Sequence, residues 1–206
     1  MSGNAIRAAI LSYRFSIITA LLLVCGCSNR PPEDLSADSI SWQEYDNAAE
    51  FRLELPDETR EWSNEFHWDG FGRIEVHHVM AKSHGLEFQL NFNDFNQPLA
   101  DEAAQTELER IAIPTDGTLI HDRKTVSRPG CIGIEVVIQR GPNFTAARYY
   151  MHESRRLYSL TVTAPWDVRD HTEIVSRFFD SFEVGEKSQV VGAAAVDSES
   201  TTNNQI

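Results

Sequence analysis

The chain has 206 residues, and its 18 Lys and Arg against 31 Asp and Glu give a formal net charge of −13 at pH 7. This acidity argues against nucleic-acid binding, which depends on clustered Lys and Arg side chains that neutralise phosphates. It also argues against a protein that lies flat on anionic lipid, and the length suits one folded domain with polar tails.

The N-terminus has the pattern of a secretory signal that ends in a lipidation site. Arg7 and Arg14 precede an apolar run at residues 15–25, which is shorter than the roughly 20 apolar residues of a spanning helix. The segment Val24-Cys25-Gly26-Cys27 resembles the bacterial lipobox. The resemblance implies that the Cys27 thiol carries a diacylglycerol and that residues 1–26 are removed. The alternative is an ordinary signal peptide with incidental cysteines.

A lipidated Cys27 predicts a protein of the bacterial cell envelope, anchored to a membrane by lipid and facing the extracytoplasmic side. Removal of the signal takes away two positive charges and no negative ones, so the formal net charge becomes −15. Residues 27–41 are polar with a Pro pair, which indicates a flexible tether. Residues 42–184 form the predicted domain, and the low-complexity composition of residues 185–206 predicts a disordered acidic tail.

Within the domain, hydrophobic periodicity predicts mainly strands with helices at two places. Helices are predicted at residues 100–111 and 167–179, because the first is Ala-rich with an acidic start and the second carries an apolar stripe. Strands are predicted at residues 51–55, 73–82, 86–93, 118–126, 132–140, 144–152, 156–163 and 182–184. Runs of strands with few helices favour an α+β fold, in which helices flank a largely antiparallel sheet.

Four segments in the second half of the chain resemble the PsbP/Mog1-like domain. They are residues 130–135 (GCIGIE), 147–150 (ARYY), 156–160 (RLYSL) and 177–182 (RFFDSF). The similarity extends over about residues 51–184. It implies an α/β/α sandwich around an antiparallel sheet, and a binding or assembly module rather than an enzyme. The chain departs from the family at residues 130–135, where a proline and an arginine of the family motif are absent.

Candidate chemical groups are few, and no catalytic residue, metal ligand set or cofactor is predicted. Cys131 lies in a Pro-Gly turn beside an apolar strand with no nucleophile signature around it, which is typical of a small buried residue. His77 and His78 are adjacent on a strand and therefore point to opposite faces, so they do not ligate one metal together.

A candidate binding surface follows from charged and aromatic residues of the predicted strands. Glu135, Arg148 and Arg156 form either a recognition patch or, in the simpler interpretation, cross-strand ion pairs that set the strand register. Tyr149 and Tyr150 point to opposite faces, so one of them is an exposed anchor if the other is buried. The predicted surface comprises Glu135, Arg148, Tyr150, Arg156, Tyr158 and Trp166.

The sequence therefore predicts a lipid-anchored, non-catalytic binding or assembly module for a membrane-associated protein partner. One alternative is an envelope lipoprotein that binds a small ligand or a metal in a pocket between sheet and helix. A second alternative is a hydrolase whose site is assembled from dispersed residues, which requires a nucleophile, a histidine and a carboxylate to converge.

Overall fold

A computed structural model describes residues 30–47, 50–56, 58–68, 71–113 and 118–185. One short 3-10 helix, Ala37–Ser39, precedes the first strand, and another, Val168–His171, directly precedes the second α-helix. The strands and helices in chain order are β1 Trp42–Asn47, β2 Phe51–Pro56, β3 Arg60–Trp68, β4 Gly72–Ser83, β5 Leu86–Asp94, α1 Asp101–Ala112, β6 Leu119–Arg128, β7 Cys131–Arg140, β8 Asn143–His152, β9 Arg156–Ala164, α2 Thr172–Asp180 and β10 Glu183–Val184.

Seven strands form a large antiparallel sheet in the order β3-β4-β5-β9-β8-β7-β6. Short turns set the register of its hairpins. His84 and Gly85 join β4 to β5, and both have positive φ (51° and 82°), as a two-residue hairpin turn requires. The predicted hairpins around this turn and around residues 153–155 are both confirmed.

A second layer covers one face of the large sheet, and aromatic side chains fill the space between them. This layer consists of the small sheet, with strand order β1-β2-β10, together with α2. Phe88 of the large sheet meets Phe178 of α2 with ring centroids 5.4 Å apart. Phe51 of β2 meets Phe92 at 5.1 Å, so the small sheet and α2 share one apolar core.

The opposite face of the large sheet packs against α1. Leu108 of α1 is fully buried and belongs to a cluster with Ile134 and Met151 of the sheet. At the β3 end, the indole Nε1 of Trp68 donates a hydrogen bond of 2.8 Å to the Glu107 carboxylate. The helix is therefore held by an apolar stripe and by one directed polar contact.

The predicted fold class, an α+β fold with helices flanking an antiparallel sheet, is wrong. The described part of the chain is mostly β, with two antiparallel sheets and two α-helices of 12 and 9 residues. It is therefore not the α/β/α sandwich that the PsbP/Mog1-like resemblance implied. The physical reason is that β1, β2 and β10 pair with one another in a separate small sheet, which occupies most of the layer assigned to helix. Neither β1 nor the edge strand β3 of the large sheet was predicted as a strand.

Several predictions fall on residues that the structure does not describe. They are the signal at residues 1–26, the lipidated Cys27 and most of the tail at residues 185–206. Among the described helices, none is long and apolar enough to cross a membrane.

Candidate functional site

An open groove of about 750 Å³ lies between the small sheet and the β3–β4 edge of the large sheet. Tyr45 and Asn47 of β1 line one wall, and β3 and β4 form the other. Phe92 and Asp94 of β5 and Arg156 of β9 line it as well, so four strands of the large sheet contribute to this acidic groove.

Arg156 is held in the acidic groove by two carboxylates. Its guanidinium donates to both oxygens of Asp94, at 2.6 and 2.5 Å, and reaches the Glu50 carboxylate at 2.8 Å. Its side chain is 12% exposed, and the guanidinium lies 5.9 Å from the centre of the Phe92 ring. The hydrogen bonds to Asp94, acting against the opposing effect of burial, raise the pKa of Arg156. Arg156 is therefore a permanent cation whose charge is offset by two carboxylates.

Two further carboxylates of the acidic groove are bonded to hydroxyl groups. The Tyr45 hydroxyl bonds Glu61, and burial together with this carboxylate raises the pKa of Tyr45 to about 12. The Ser63 hydroxyl donates to Glu75 at 2.7 Å. Because a hydroxyl carries no charge, these bonds leave the negative charges of Glu61 and Glu75 in place.

The acidic groove therefore carries an excess of negative charge. Its lining contains four carboxylates, Glu50, Glu61, Glu75 and Asp94, against two guanidinium groups, Arg73 and Arg156. With neutral histidines the difference is 2 − 4 = −2. An open acidic groove attracts cationic ligands and repels anionic ones, and this steering weakens as salt concentration rises.

The two adjacent histidines point to opposite faces of the sheet, as predicted. His77 stacks on Phe92 on the groove side, with ring centroids 4.8 Å apart. His78 stacks on Trp62 at 4.8 Å, and its Nδ1 lies 2.6 Å from Oδ1 of Asn91. Burial lowers the pKa of His78, and the hydrogen bond to Asn91 opposes this only in part.

A serine, a histidine and a carboxylate do meet in the acidic groove, in an order that does not activate the serine. Ser63 and His77 are direct cross-strand partners, but the Ser63 hydroxyl donates to Glu75. His77 Nε2 lies 4.0 Å from the other oxygen of that carboxylate. A nucleophilic serine needs the histidine as its immediate hydrogen-bond partner, with the carboxylate behind the histidine. Here the carboxylate stands between the two.

Cys131 has the properties of a structural cysteine. Its side chain is buried at the start of β7, opposite His152 of β8. Burial raises the pKa of the Cys131 thiol to about 11. A nucleophilic cysteine needs the opposite shift, because only the thiolate attacks.

The structure places Glu135 and Arg148 in a cross-strand ion pair, the simpler of the two predicted interpretations. They lie directly opposite each other on β7 and β8, and the Arg148 Nε donates to the Glu135 carboxylate. Arg148 also donates to Asp180 at the end of α2, at 2.7 Å, and covers the Phe179 ring at 4.8 Å. The pair therefore fastens α2 to the sheet, and its atoms are largely enclosed.

The aromatic members of the predicted binding surface do not form a surface. Tyr150 and Tyr158 are each 1% exposed and belong to the core beneath the small sheet and α2. Trp166 is half-buried, and its ring lies over Gly85 so closely that an added Cβ there would be 2.7 Å from it. Of the six predicted residues, only Arg156 lines the acidic groove.

Sequence reasoning missed the other polar residues of the acidic groove. Tyr45 and Glu61 come from two edge strands, β1 and β3, where local periodicity is weak, and Glu75 is an exposed residue of β4. The available signal was the density of acidic residues between residues 44 and 75, which does not by itself indicate a groove. Within the described ranges, no group of three or more His, Cys, Asp or Glu side chains is arranged to hold a metal ion.

Comparison with known proteins gives no match to a family model, and no curated protein matches the chain. The resemblance to the PsbP/Mog1-like domain therefore stays a prediction that rests on the quoted motifs.

Proposed function

We propose that the chain is a lipid-anchored binding module of a bacterial cell envelope. Cys27 carries the anchor, and the acidic groove takes a basic segment of a membrane-associated protein partner. The module performs no chemistry on this partner. The tether at residues 27–41 sets the distance of the domain from the bilayer.

The charge of the acidic groove is the observation that carries the proposed binding role. Four carboxylates line it against two guanidinium groups, and Arg156 is already engaged by Glu50 and Asp94. Glu61 and Glu75 are bonded to uncharged hydroxyl groups and line an open groove of about 750 Å³. The ring of Tyr45 adds apolar and cation-attracting surface beside them, whereas the Phe92 ring is buried and stacked on His77.

Two observations favour binding over catalysis. The Cys131 thiol is buried with a raised pKa, and the Ser63 hydroxyl is bonded to a carboxylate in place of a histidine. Neither group has the environment of an activated nucleophile.

The anchor is tested by fractionating cells that produce the full-length chain or its Cys27→Ser variant. We expect the unsubstituted chain in the membrane fraction with a lipid mass on the N-terminal peptide, and the variant in the soluble fraction. Two acyl chains give stable anchoring because each buried methylene contributes about 0.8 kcal/mol. An unsubstituted chain that fractionates as soluble protein overturns the anchor.

The acidic groove is tested with Glu75→Lys, which reverses one groove charge at an exposed position opposite Glu65. Asp170→Lys changes the net charge equally at an exposed site outside the groove and serves as the matched control. The probe is a labelled Lys- and Arg-rich peptide, with a Glu-rich peptide of equal length beside it. We expect the basic peptide to bind the unsubstituted chain and Asp170→Lys with similar affinity. We expect it to bind Glu75→Lys at least about tenfold more weakly.

Binding of the basic peptide must also weaken as salt is raised, because screening shortens the range of the groove field. In cells, crosslinking by the unsubstituted chain and by Asp170→Lys should capture one defined membrane protein, which Glu75→Lys loses. Equal peptide binding by both charge variants contradicts the proposed groove function. Covalent labelling of Ser63 by a fluorophosphonate would favour the hydrolase alternative.

A further inference from the structure

The strand β3 is an open edge of the large sheet. Among the described residues, β4 is its single strand neighbour, and eight of its nine residues are exposed. Trp62 and Phe66 are 39% and 37% exposed, and they are the two aromatic residues among the exposed large apolar side chains of the described ranges. They are four residues apart on a strand, so both stand on the same face of the sheet. An edge of this kind presents backbone donors and acceptors together with an apolar surface.

We propose that β3 pairs with β3 of a second copy of this chain, antiparallel and in the register centred on Asn64. The two seven-stranded sheets then form one continuous sheet with a two-fold axis at Asn64. In this register the opposed residues, the second of each pair belonging to the partner, are Arg60 with Trp68, Glu61 with His67, Trp62 with Phe66, Ser63 with Glu65, and Asn64 with Asn64.

Every pair in this register is chemically compatible. Trp62 lies opposite the partner's Phe66, and an aromatic cross-strand pair contributes roughly 0.2–1 kcal/mol relative to an alanine pair. Glu61 lies opposite the partner's His67, which donates to it and carries a positive charge when protonated. The two-fold axis gives each of these contacts twice. At the centre, Asn64 lies opposite Asn64 of the second copy. The two side chains do not repel each other, because each amide is uncharged and has both donors and an acceptor.

The remaining two pairs follow the same pattern. Arg60 lies opposite the partner's Trp68, and a guanidinium is attracted to an indole face. Ser63 lies opposite the partner's Glu65, and because its hydroxyl already donates to Glu75 of its own chain, this pair contributes no new hydrogen bond but opposes no like charges. No two like charges are opposed in the whole register, although four of the nine residues are charged or titratable: Arg60, Glu61, Glu65 and His67.

The other edge of the large sheet provides a contrast. In β6 the register shifts between Ile120 and Asp122, and such an irregularity interrupts the pairing surface of an edge. This register shift disfavours self-pairing at β6, and the pairing of β3 with β4 has no such shift.

Pairing at β3 also changes the setting of the acidic groove. Glu61 and Ser63 line the groove and belong to β3, so the two grooves of the dimer lie on either side of the axis. The partner's His67 faces Glu61 and reaches the rim of the groove. A dimer therefore presents two acidic grooves on the same face of one sheet, which suits a partner with two basic segments.

The test is disulfide crosslinking of the full-length chain that carries Asn64→Cys. Residues directly opposed in antiparallel strands have Cα atoms about 4.5–5.5 Å apart, and this lies within the span of a disulfide. We expect Asn64→Cys to form a covalent dimer under mild oxidation. Arg60→Cys should not, because its own copies lie far from the axis, but Arg60→Cys mixed with Trp68→Cys should form a heterodimer.

Two controls separate this interface from random encounter. The unsubstituted chain, with its own three cysteines, is the blank, and Thr125→Cys places an exposed thiol on the opposite edge. Equal crosslinking by Thr125→Cys and Asn64→Cys, or none by Asn64→Cys, overturns the proposal and indicates that the charges of β3 protect an unpaired edge.

A charge swap tests the register without cysteines. In His67→Glu the new carboxylate lies opposite the partner's Glu61, so two like charges face each other. Sedimentation should then show a dimer dissociation constant that is higher by about tenfold or more. Adding Glu61→Lys restores opposite charges and should return the constant to within about threefold of the original. A single variant that associates as well as the unsubstituted chain contradicts this register. Because these measurements need no peptide ligand, they succeed or fail independently of the proposed groove function.

Discussion

Asp94 and Arg156 lie directly opposite each other on β5 and β9, and the guanidinium bonds both carboxylate oxygens. This pair joins the middle of the large sheet to the acidic groove, and Glu50, which directly precedes β2, adds a third charge to it. The geometry is that of a fork-to-fork ion pair, which lysine does not reproduce.

Arg156→Lys is expected to lower the free energy of unfolding by about 1–2 kcal/mol, since it keeps the charge and loses the two-point contact, at a partly exposed site. Arg156→Met should lower it further, because Asp94 and Glu50 then lose their cation. Urea unfolding measures both. Lys82→Met, which breaks the exposed Lys82–Glu87 pair, is the matched control and should cost under about 0.5 kcal/mol.

Breaking the enclosed pair between Arg148 and Glu135 is expected to cost more. The two side chains are 13% and 14% exposed, and Arg148 also holds Asp180 of α2. Arg148→Met should destabilise the domain by about 1.5–3 kcal/mol, because the largely enclosed Glu135 carboxylate loses this contact and keeps only Lys124, at 2.7 Å. Adding Glu135→Gln should recover part of the loss in a double-mutant cycle by urea unfolding. Additive effects would contradict a direct coupling.

Gly133→Ala tests the close packing of β7 against β8. A Cβ at Gly133 would lie 2.6 Å from the Tyr149 carbonyl oxygen and 2.7 Å from the Tyr150 ring. The backbone oxygen cannot move aside as a flexible side chain does, so we expect a loss of about 1–3 kcal/mol. Ser127→Ala on the exposed part of β6 is the control and should change stability by less than about 0.5 kcal/mol. Calorimetry that finds the two variants equal would contradict the predicted clash.

The pH dependence of stability should contain a contribution from His78. Burial lowers its pKa in the folded state, so the unfolded chain binds the proton more readily. The stability that neutral His78 contributes is fully present above the pKa of histidine in the unfolded chain, about 6.5. It is lost as the pH falls from that value through the lower pKa of the folded state. His78→Gln should therefore lose less Tm than the unsubstituted chain between pH 7 and pH 5. Parallel Tm curves would show that other groups account for the whole dependence.

The strands with clear alternation could be predicted from the sequence because their periodicity reports burial on one face. Leu86–Asp94 and Arg156–Ala164 alternate in sequence and in burial. The edge strand Arg60–Trp68 could not be predicted in this way, since nearly every side chain is exposed and no buried face imposes a period of two. With this strand and β1 missing, the second sheet and one wall of the groove were missing from the predicted fold.

For the candidate site, local patterning identified Arg156 and the opposed orientations of His77 and His78. It could not tell which of Tyr149 and Tyr150 is buried, because strand alternation assigns two faces without saying which one meets the second layer. Tyr150 faces the core formed by the small sheet and α2. The prediction that Tyr150 is an exposed anchor is therefore wrong.

The sequence by itself determined the local features: the acidic charge, the predicted lipidation site, the hairpins and the helix positions. Each of these depends on residues that are near one another in the chain. The tertiary structure alone decided the layer order, the acidic groove and the open β3 edge. These features bring together residues far apart in sequence, such as Glu50, Asp94 and Arg156, and the packing of one sheet against another determines which of them meet.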